Sequence, residues 1–330
     1  MKTVIVGSGS WGTALGLLLA RNGAPTTLLC RSAEIADAIN HTHQNPSYLP
    51  DTRLPDNLNA TTEASSALPE TELVLFVVPT AHLRQVAESL SPFIGPEAIL
   101  LSCAKGIERG TGKRMSQILA DVLPGRQLAV LSGPNHAEEI AQGLPACAVL
   151  GADSAPLATM LQELFISPSF RTYSSTDIAG IELGGAIKNV YAIASGVASG
   201  LKLGDNATAA LVTRSLAEMT RLGMALGGQA ETFAGLSGVG DLIATCFSHH
   251  SRNFRTGLAI ASGQTAEEAQ KKLGMVAEGV PNTLSIFETS RDIGARTPLI
   301  DAVYSILYKN QPAHEVLHEL LTRDPRPEAE

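Results

Sequence analysis

Residues 1–16 read MKTVIVGSGSWGTALG, and the order of residue types in this stretch decides the fold. Thr3-Val4-Ile5-Val6 is a short apolar, β-branched run suited to a buried parallel strand. Gly7, Gly9 and Gly12 follow as G-x-G-x-x-G, and the apolar residues 14–20 continue as a helix. Strand, glycine turn and helix in that order is the context that gives the motif its meaning. Gly7 permits the tight turn, Gly9 lets the backbone approach a pyrophosphate, and Gly12 lets the helix lie close to the strand. The helix N-terminus then offers free N–H groups and a positive dipole end to the phosphates. The stretch therefore predicts a bound dinucleotide.

Working outward, residues 24–30 (APTTLLC) read as a second strand that closes a β-α-β unit. An NAD-type fingerprint places Asp or Glu at the end of that strand, facing the ribose hydroxyls. This chain has Arg31, followed by Ser32. A guanidinium fork there suits a 2′-phosphate and favours NADPH, with NADH left open. Residues 33–40 form a short helix, and residues 41–57 read as a loop punctuated by Asn45, Pro46, Pro50 and Pro55. Further strands are expected at 72–78, 98–102, 128–131, 147–150 and 170–173, alternating with helical segments. That alternation predicts an α/β fold with a doubly wound, mostly parallel sheet. Lys105-Gly106 lies just past one strand's carboxyl end, where ligands bind in such sheets. From Asp177 onward the texture is helical throughout. The expected division is a dinucleotide-binding domain, 1–176, and a helical substrate-binding domain, 177–330. The charged, Pro-rich segment 323–330 is expected to fray.

The composition bounds the function. Of the 330 residues, 44% are hydrophobic but only 4% aromatic, so Ala, Leu, Val and Ile must build the core. The formal net charge of −8 argues against wrapping nucleic acid, which leans on many Lys and Arg contacts to phosphate. Positive charge for a phosphate-bearing small molecule must then be local. Cys30, Cys103, Cys147 and Cys246 form no C-x-x-C pair and read as reduced thiols. No apolar run approaches the ~20 residues that cross a bilayer, and the N-terminus lacks a signal-peptide pattern. A cytoplasmic protein without membrane insertion is expected.

Two constellations carry the chemistry. In residues 176–203, Gly185, Asn189, Ala192, Gly196 and Ser199 recur at spacings of three and four, lining one helix face with small residues. Lys188 sits among Leu183, Ile187, Val190, Tyr191 and Ile193 with no acidic residue in the following turn. A lysine in such partly desolvated surroundings has a lowered pKa and can move protons. In residues 235–255, Gly238 and Gly240 precede Asp241, and Thr245 lies one helical turn beyond it. Arg252 and Asn253 supply a phosphate fork beside an amide. Ser237, Ser248, His249 and His250 read as cap and turn residues, and no metal-ligand set accompanies the histidines.

Taken in order, Gly7-Ser8-Gly9-Ser10-Trp11-Gly12-Thr13-Ala14, Asn45-x-x-Tyr48-Leu49-Pro50, Ala104-Lys105-Gly106-Ile107-Glu108, Leu131-Ser132-Gly133-Pro134, Glu182-Leu183-Gly184-Gly185-Ala186-Ile187-Lys188-Asn189, Gly238-x-Gly240-Asp241-Leu242, Ser251-Arg252-Asn253 and Val276-Ala277-Glu278-Gly279 form a specific set. With these pieces the chain resembles the bacterial NAD(P)-dependent glycerol-3-phosphate dehydrogenases over nearly its whole length. The resemblance implies a Rossmann domain followed by an all-helical domain of the 6-phosphogluconate dehydrogenase C-terminal type. It implies reduction of dihydroxyacetone phosphate to sn-glycerol 3-phosphate, the entry to phospholipid synthesis. It also implies proton transfer by Lys188 and substrate contacts from Lys105, Gly133, Asn135, Asp241, Ser251, Arg252 and Asn253, with Asn189 and Thr245 beside them. The cofactor contacts implied are Ser10, Trp11, Arg31, Lys105, Ala137, Arg252, Val276 and Glu278, together with Gly7, Gly9 and Gly12. Where that family usually has Ser-Phe or Ser-Tyr after Gly-Pro, this chain has Asn135-His136. A homodimer is expected from the glycine-rich helical faces. A β-hydroxyacid or ketopantoate reductase would share the sheet and a helix lysine but would not require the Arg-Asn grip. A non-catalytic dinucleotide sensor would leave Lys188, Asp241 and Arg252 without a joint purpose.

Overall fold

The computed structural model describes residues 1–273, 276–324, 327 and 328. Eight strands form one sheet: β1 (Thr3–Val6), β2 (Thr26–Leu29), β3 (Leu58–Thr61), β4 (Leu73–Phe76), β5 (Ile99–Ser102), β6 (Leu128–Ser132), β7 (Ala146–Ala152) and β8 (Phe170–Ser175). Their spatial order is β3-β2-β1-β4-β5-β6-β7-β8. The chain runs outward from β1 to β3 and then crosses to β4 on the other side of β1. This reversal opens a crevice at the carboxyl ends of β1 and β4, where dinucleotides bind in doubly wound sheets. β1, β4 and β5 are buried along their whole length, as continuous apolar runs in a sheet covered on both faces should be.

One strand departs from the sequence reading. β3 (LNAT) follows the expected loop without having been expected itself. Leu58 and Ala60 are buried while Asn59 is exposed, so its apolar signal is two residues long. The sheet is mostly parallel, as expected; the one antiparallel pairing among the described strands is that of β7 with β6, while β8 is parallel to β7. A parallel return needs a crossover long enough to repack on the sheet. Residues 133–145 carry only the five-residue helix Ala137–Ala141, and Gly133, at φ +144°, turns the chain back at the end of β6.

After β8 every element among the described residues is helical. The helix Ile178–Gly200 is apolar nearly all round and buried along most of its length, so most of the later helices pack around it. Asp177 caps it, accepting from Gly180 N–H at 2.9 Å through Oδ1. Its Oδ2 accepts from Gln229 N–H at 2.9 Å and Thr232 O–H at 2.6 Å, fixing the next segment to the same cap. Gly196 of this helix faces Gly257 of Arg252–Ala261, and a Cβ at either position would collide with backbone. The small-residue stripe therefore serves close helix–helix packing. The tail expected to fray lies partly outside the described residues, while Arg214 Nη1 donates to the carbonyl of Glu328 at 2.9 Å.

Candidate active site

Lys105 stands past the carboxyl end of β5 and faces the long helix Ile178–Gly200. Its approach depends on Gly185, where a Cβ would lie 2.6 Å from Ser132 Oγ and 3.4 Å from Lys105 Cγ. Opposite, Leu236–Gly240 forms a π-helical turn closed by Gly240 N–H to Gly235 O at 3.1 Å. Single π turns of this kind recur at functional sites. Gly184 lets that turn lie on the long helix, since a Cβ there would strike the Ser237 carbonyl. The turn delivers Asp241 to the start of the helix Asp241–Phe247, one helical turn of the long helix away from Gly184 at Lys188.

Asp241 bridges two ammonium groups. Lys188 Nζ donates to Oδ1 at 2.7 Å, and Lys105 Nζ donates to Oδ2 at 2.7 Å. Lys188 also donates to Thr245 Oγ1 at 2.6 Å, and that hydroxyl donates to Asp241 O at 2.6 Å. Lys105 also donates to Gly133 O and Asn135 Oδ1, each at 3.0 Å. An ammonium has three donors. Those of Lys105 are all committed, whereas Lys188 has two partners among the described residues and keeps one N–H for a ligand.

Lys188 is only 6% exposed. Burial pulls its pKa down to about 8; Asp241 opposes that shift and Lys105 reinforces it. Burial works against ionising Asp241, but the two ammonium groups together outweigh it and hold the carboxyl below its usual range. The centre thus carries two positive charges on one carboxylate, a net positive pocket in an acidic chain. The side-chain Nδ2 of Asn135 is buried and has no partner among the described residues, leaving a donor next to Lys105.

The remaining expected residues fall into two groups. Asn189, Asn253 and Lys105 are joined by amides. Gly279 N–H donates to Asn253 Oδ1 at 2.8 Å, Asn253 Nδ2 to Asn189 Oδ1 at 2.8 Å, and Asn189 Nδ2 to Lys105 O at 3.4 Å. Ser251 caps Arg252–Ala261, accepting from Phe254 N–H at 3.2 Å. The exposed Arg252 guanidinium donates to Val276 O at 2.9 Å. Glu278 reaches across to the β4 side, accepting from Thr80 N–H at 3.2 Å and Thr80 O–H at 2.5 Å. Burial raises the pKa of Glu278, with the Thr80 hydrogen bonds opposing.

On the glycine turn, Gly7 lies at φ +110°, and a Cβ there would sit 2.5 Å from the Val77 carbonyl oxygen. A Cβ at Gly12 would strike the Gly7 carbonyl, so helix and strand are as close as the motif requires. At Gly9 a Cβ would meet nothing within 4 Å. Ser10 and Trp11 open the helix Ser10–Arg21, and Trp11 Nε1 is buried without a partner among the described residues. Arg31 is exposed just beyond β2, while Ser32 caps the next helix through Ile35 N–H. Ala137 is buried at the start of its short helix. His136 Nε2 lies 3.3 Å from Ala244 O, and its ring is 6.0 Å from that of His250.

The sequence reading missed Thr80 and Asn282. Asn282 Nδ2 donates to Lys105 O at 2.8 Å, one helical turn beyond Glu278, and that i, i+4 spacing was the available signal. Thr80 follows the strand-ending Pro79 but pairs with a residue far along the chain, which no local pattern announces. Of the expected turn residues, Ser248 accepts from His250 N–H at 3.1 Å, but Ser237 Oγ is buried with no partner among the described residues.

The pattern described as NAD-dependent glycerol-3-phosphate dehydrogenase N-terminus matches residues 2–158, and the corresponding C-terminus pattern matches residues 177–318. The chain is 42% identical over 325 residues to "Glycerol-3-phosphate dehydrogenase [NAD(P)+]" of Carboxydothermus hydrogenoformans, covering 98% of this chain and 97% of the relative. A crystal structure of glycerol-3-phosphate dehydrogenase from Coxiella burnetii superposes with a TM-score of 0.94 at 36% identity, covering 98% of this chain and 99% of that one. A ketopantoate reductase from Ralstonia eutropha shares the fold alone, with a TM-score of 0.62 at 18% identity over 97% of this chain and all of its own length. The chain belongs to the NAD-dependent glycerol-3-phosphate dehydrogenase family.

Proposed function

We propose that this chain is an NAD(P)-dependent oxidoreductase that reduces dihydroxyacetone phosphate to sn-glycerol 3-phosphate, reversibly, with Lys188 as general acid and base. The observation that carries the reading is the single uncommitted N–H of a buried lysine whose other donors are fixed by Asp241 and Thr245. Those two contacts hold the ammonium in one orientation, so the proton is positioned before substrate arrives.

The residues at the glycine turn fit a dinucleotide. The space beside Gly9 is open, no side chain caps the first helix, and the indole N–H of Trp11 is a buried donor in want of an acceptor. Gly7, Gly9, Ser10, Trp11 and Gly12 would hold the pyrophosphate end, Arg31 the adenosine end, and Ala137, Arg252, Val276 and Glu278 the rest. NADPH, or NADH, supplies when bound the hydride for the C2 carbonyl carbon. As negative charge grows on the carbonyl oxygen, the Lys188 ammonium stabilises it by hydrogen bonding and then transfers a proton to it. Asp241 keeps Lys188 aimed and screens it from Lys105. Lys105 adds a second positive charge and aligns Asn135, whose free amide N–H reads a substrate oxygen. Arg252 with Asn253, at the helix N-terminus capped by Ser251, takes the phosphate, and binding there stabilises the reacting geometry.

The end of β8 at Ser175 and the start of the long helix at Ile178 support a division into a dinucleotide-binding unit, 1–176, and a substrate unit, 177–330. The product suits glycerophospholipid synthesis, and the reading extends to a cytoplasmic homodimer. The deciding experiment follows NADPH absorbance with dihydroxyacetone phosphate, with ketopantoate, and with neither. Oxidation only with dihydroxyacetone phosphate is expected; turnover of ketopantoate instead would overturn the reading.

A further inference from the structure

The loop Asn45-x-x-Tyr48-Leu49-Pro50 lies outside the chemistry above, yet it is wired to the glycine turn. Asn45 is fully buried, and its Nδ2 donates to Ser8 O at 2.9 Å and to Thr13 Oγ1 at 2.8 Å. Thr13 Oγ1 donates in turn to the same Ser8 carbonyl at 3.2 Å. Ser10 Oγ donates to Tyr48 O at 3.2 Å. The loop itself is anchored. Asn45 O accepts from Tyr48 and Leu49 N–H, Leu54 N–H donates to His43 O at 2.8 Å, and Leu49 and Leu54 are buried in the core beside Ile39.

We propose that Asn45 is a positioning residue for the dinucleotide, acting through the peptide that links Ser8 to Gly9. That peptide is planar and trans, so its C=O and N–H point in opposite directions. Two donors, Asn45 Nδ2 and Thr13 Oγ1, fix the Ser8 carbonyl on the core side. The Gly9 N–H is thereby turned to the opposite, outer side, where Gly9 itself leaves open space. Gly7 and Gly9 have no side chains with which to hold this orientation, and no side chain caps the helix that follows. The clamp comes instead from Thr13 and from a loop 37 residues along the chain, and it consumes none of the N–H groups that meet phosphate. The inference rests on the reading that the glycine turn receives the pyrophosphate.

The test uses Asn45→Asp, Asn45→Ala and Thr13→Val in the full chain, with steady-state kinetics and thermal melting. Loss of the clamp raises KM for NADPH and for NADH by the same factor, about tenfold for Asn45→Asp, which loses its hydrogen bond to the Ser8 carbonyl along with that to Thr13 Oγ1, because the pyrophosphate is common to both. The kcat at saturating cofactor and the KM for dihydroxyacetone phosphate stay within about twofold. A lowered melting temperature with unchanged cofactor KM, or a fall in kcat alone, overturns the proposal. Gly9→Val is the control. If it leaves cofactor KM unchanged, the reading of the turn fails; if it raises KM while the Asn45 and Thr13 variants do not, only the clamp fails. Hydrogen exchange on the unsubstituted chain tests the same idea without dependence on variant folding. Added ADP-ribose should slow exchange in residues 45–54 together with 7–12, and slowing confined to 7–12 overturns the clamp.

Discussion

Lys188 and Lys105 share one carboxylate but not one role, and donor counting separates them. All three N–H groups of Lys105 are committed, which suits the charge and alignment proposed for it; Lys188 has one to spare among the described residues, which suits the proton transfer proposed for it. Lys188→Met should therefore lower kcat/KM for dihydroxyacetone phosphate by about a thousandfold, within the range for a positioned general acid, with NADPH binding retained by fluorescence titration. The sign of the pH dependence follows from the lowered pKa. Reduction needs the ammonium, so its rate should fall as pH rises through about 8, while oxidation of sn-glycerol 3-phosphate needs the free amine and should rise through the same value. Because the Lys105 charge helps depress that pKa, Lys105→Met should move the oxidation midpoint to higher pH. A midpoint that stays fixed, read from stopped-flow pH profiles, would remove the electrostatic link. At the cofactor's far end, Arg31→Ala should raise KM for NADPH much more than KM for NADH, since only the former carries a 2′-phosphate. Equal effects would cancel that assignment.

Among elements, buried acids do the capping that local residues leave undone. Glu218, 1% exposed, accepts from Leu299 N–H and Ile300 N–H at 3.0 Å each and from Tyr191 O–H at 3.3 Å. It satisfies the first-turn donors of Pro298–Tyr308 from a different helix. Burial raises its pKa to about 7, with these hydrogen bonds opposing. A carboxyl with a raised folded-state pKa contributes stability that is full below the unfolded value of 4.5 and is lost as pH rises through about 7. At about 1.4 kcal/mol per pKa unit the swing is about 3 kcal/mol. Glu218→Gln should therefore flatten the melting temperature between pH 5 and pH 8, and an unchanged pH slope would show that Glu218 is not its source. Such caps also mark where the sequence stops being legible. The strand–turn–helix of residues 1–21 is local, so its pattern could be read directly, as could Asp177 as the cap of the long helix. β3 shows only Leu58 and Ala60 as apolar signal, and the direction of β7 depends on how residues 133–145 pack. Glu218 finds its backbone donors 81 and 82 residues away. The same limit divides the site. Lys188, Asp241 and Thr245 carried compositional and periodic signals and Asn282 only its spacing from Glu278, whereas Thr80 became visible only once the chain had folded.

At the scale of the whole molecule, the sheet and the helices are joined by polar contacts as well as by packing. Lys105 meets Asp241, Thr80 meets Glu278, and Asn282 meets the Lys105 carbonyl, so residues proposed to bind and react also join the sheet to the helices. One joint stands apart from that chemistry. Glu182, 6% exposed on the long helix, accepts from Ser116 N–H at 2.7 Å, Ser116 O–H at 2.6 Å and Arg114 Nη1 at 2.5 Å, at the start of Met115–Val122. Burial raises its pKa, and Arg114 and Ser116 oppose that rise. Removing Glu182, the buried member of this ion pair, leaves the half-buried Arg114 without its partner and the Ser116 N–H unsatisfied. Glu182→Ala should then cost about 2–3 kcal/mol of stability. Removing Arg114 as well relieves the stranded charge, so the double variant Arg114→Ala/Glu182→Ala should lose less than the two single losses added together. Denaturant melts of the four chains measure the coupling. Strict additivity would mean that the pair does not act as one joint between the sheet and the long helix.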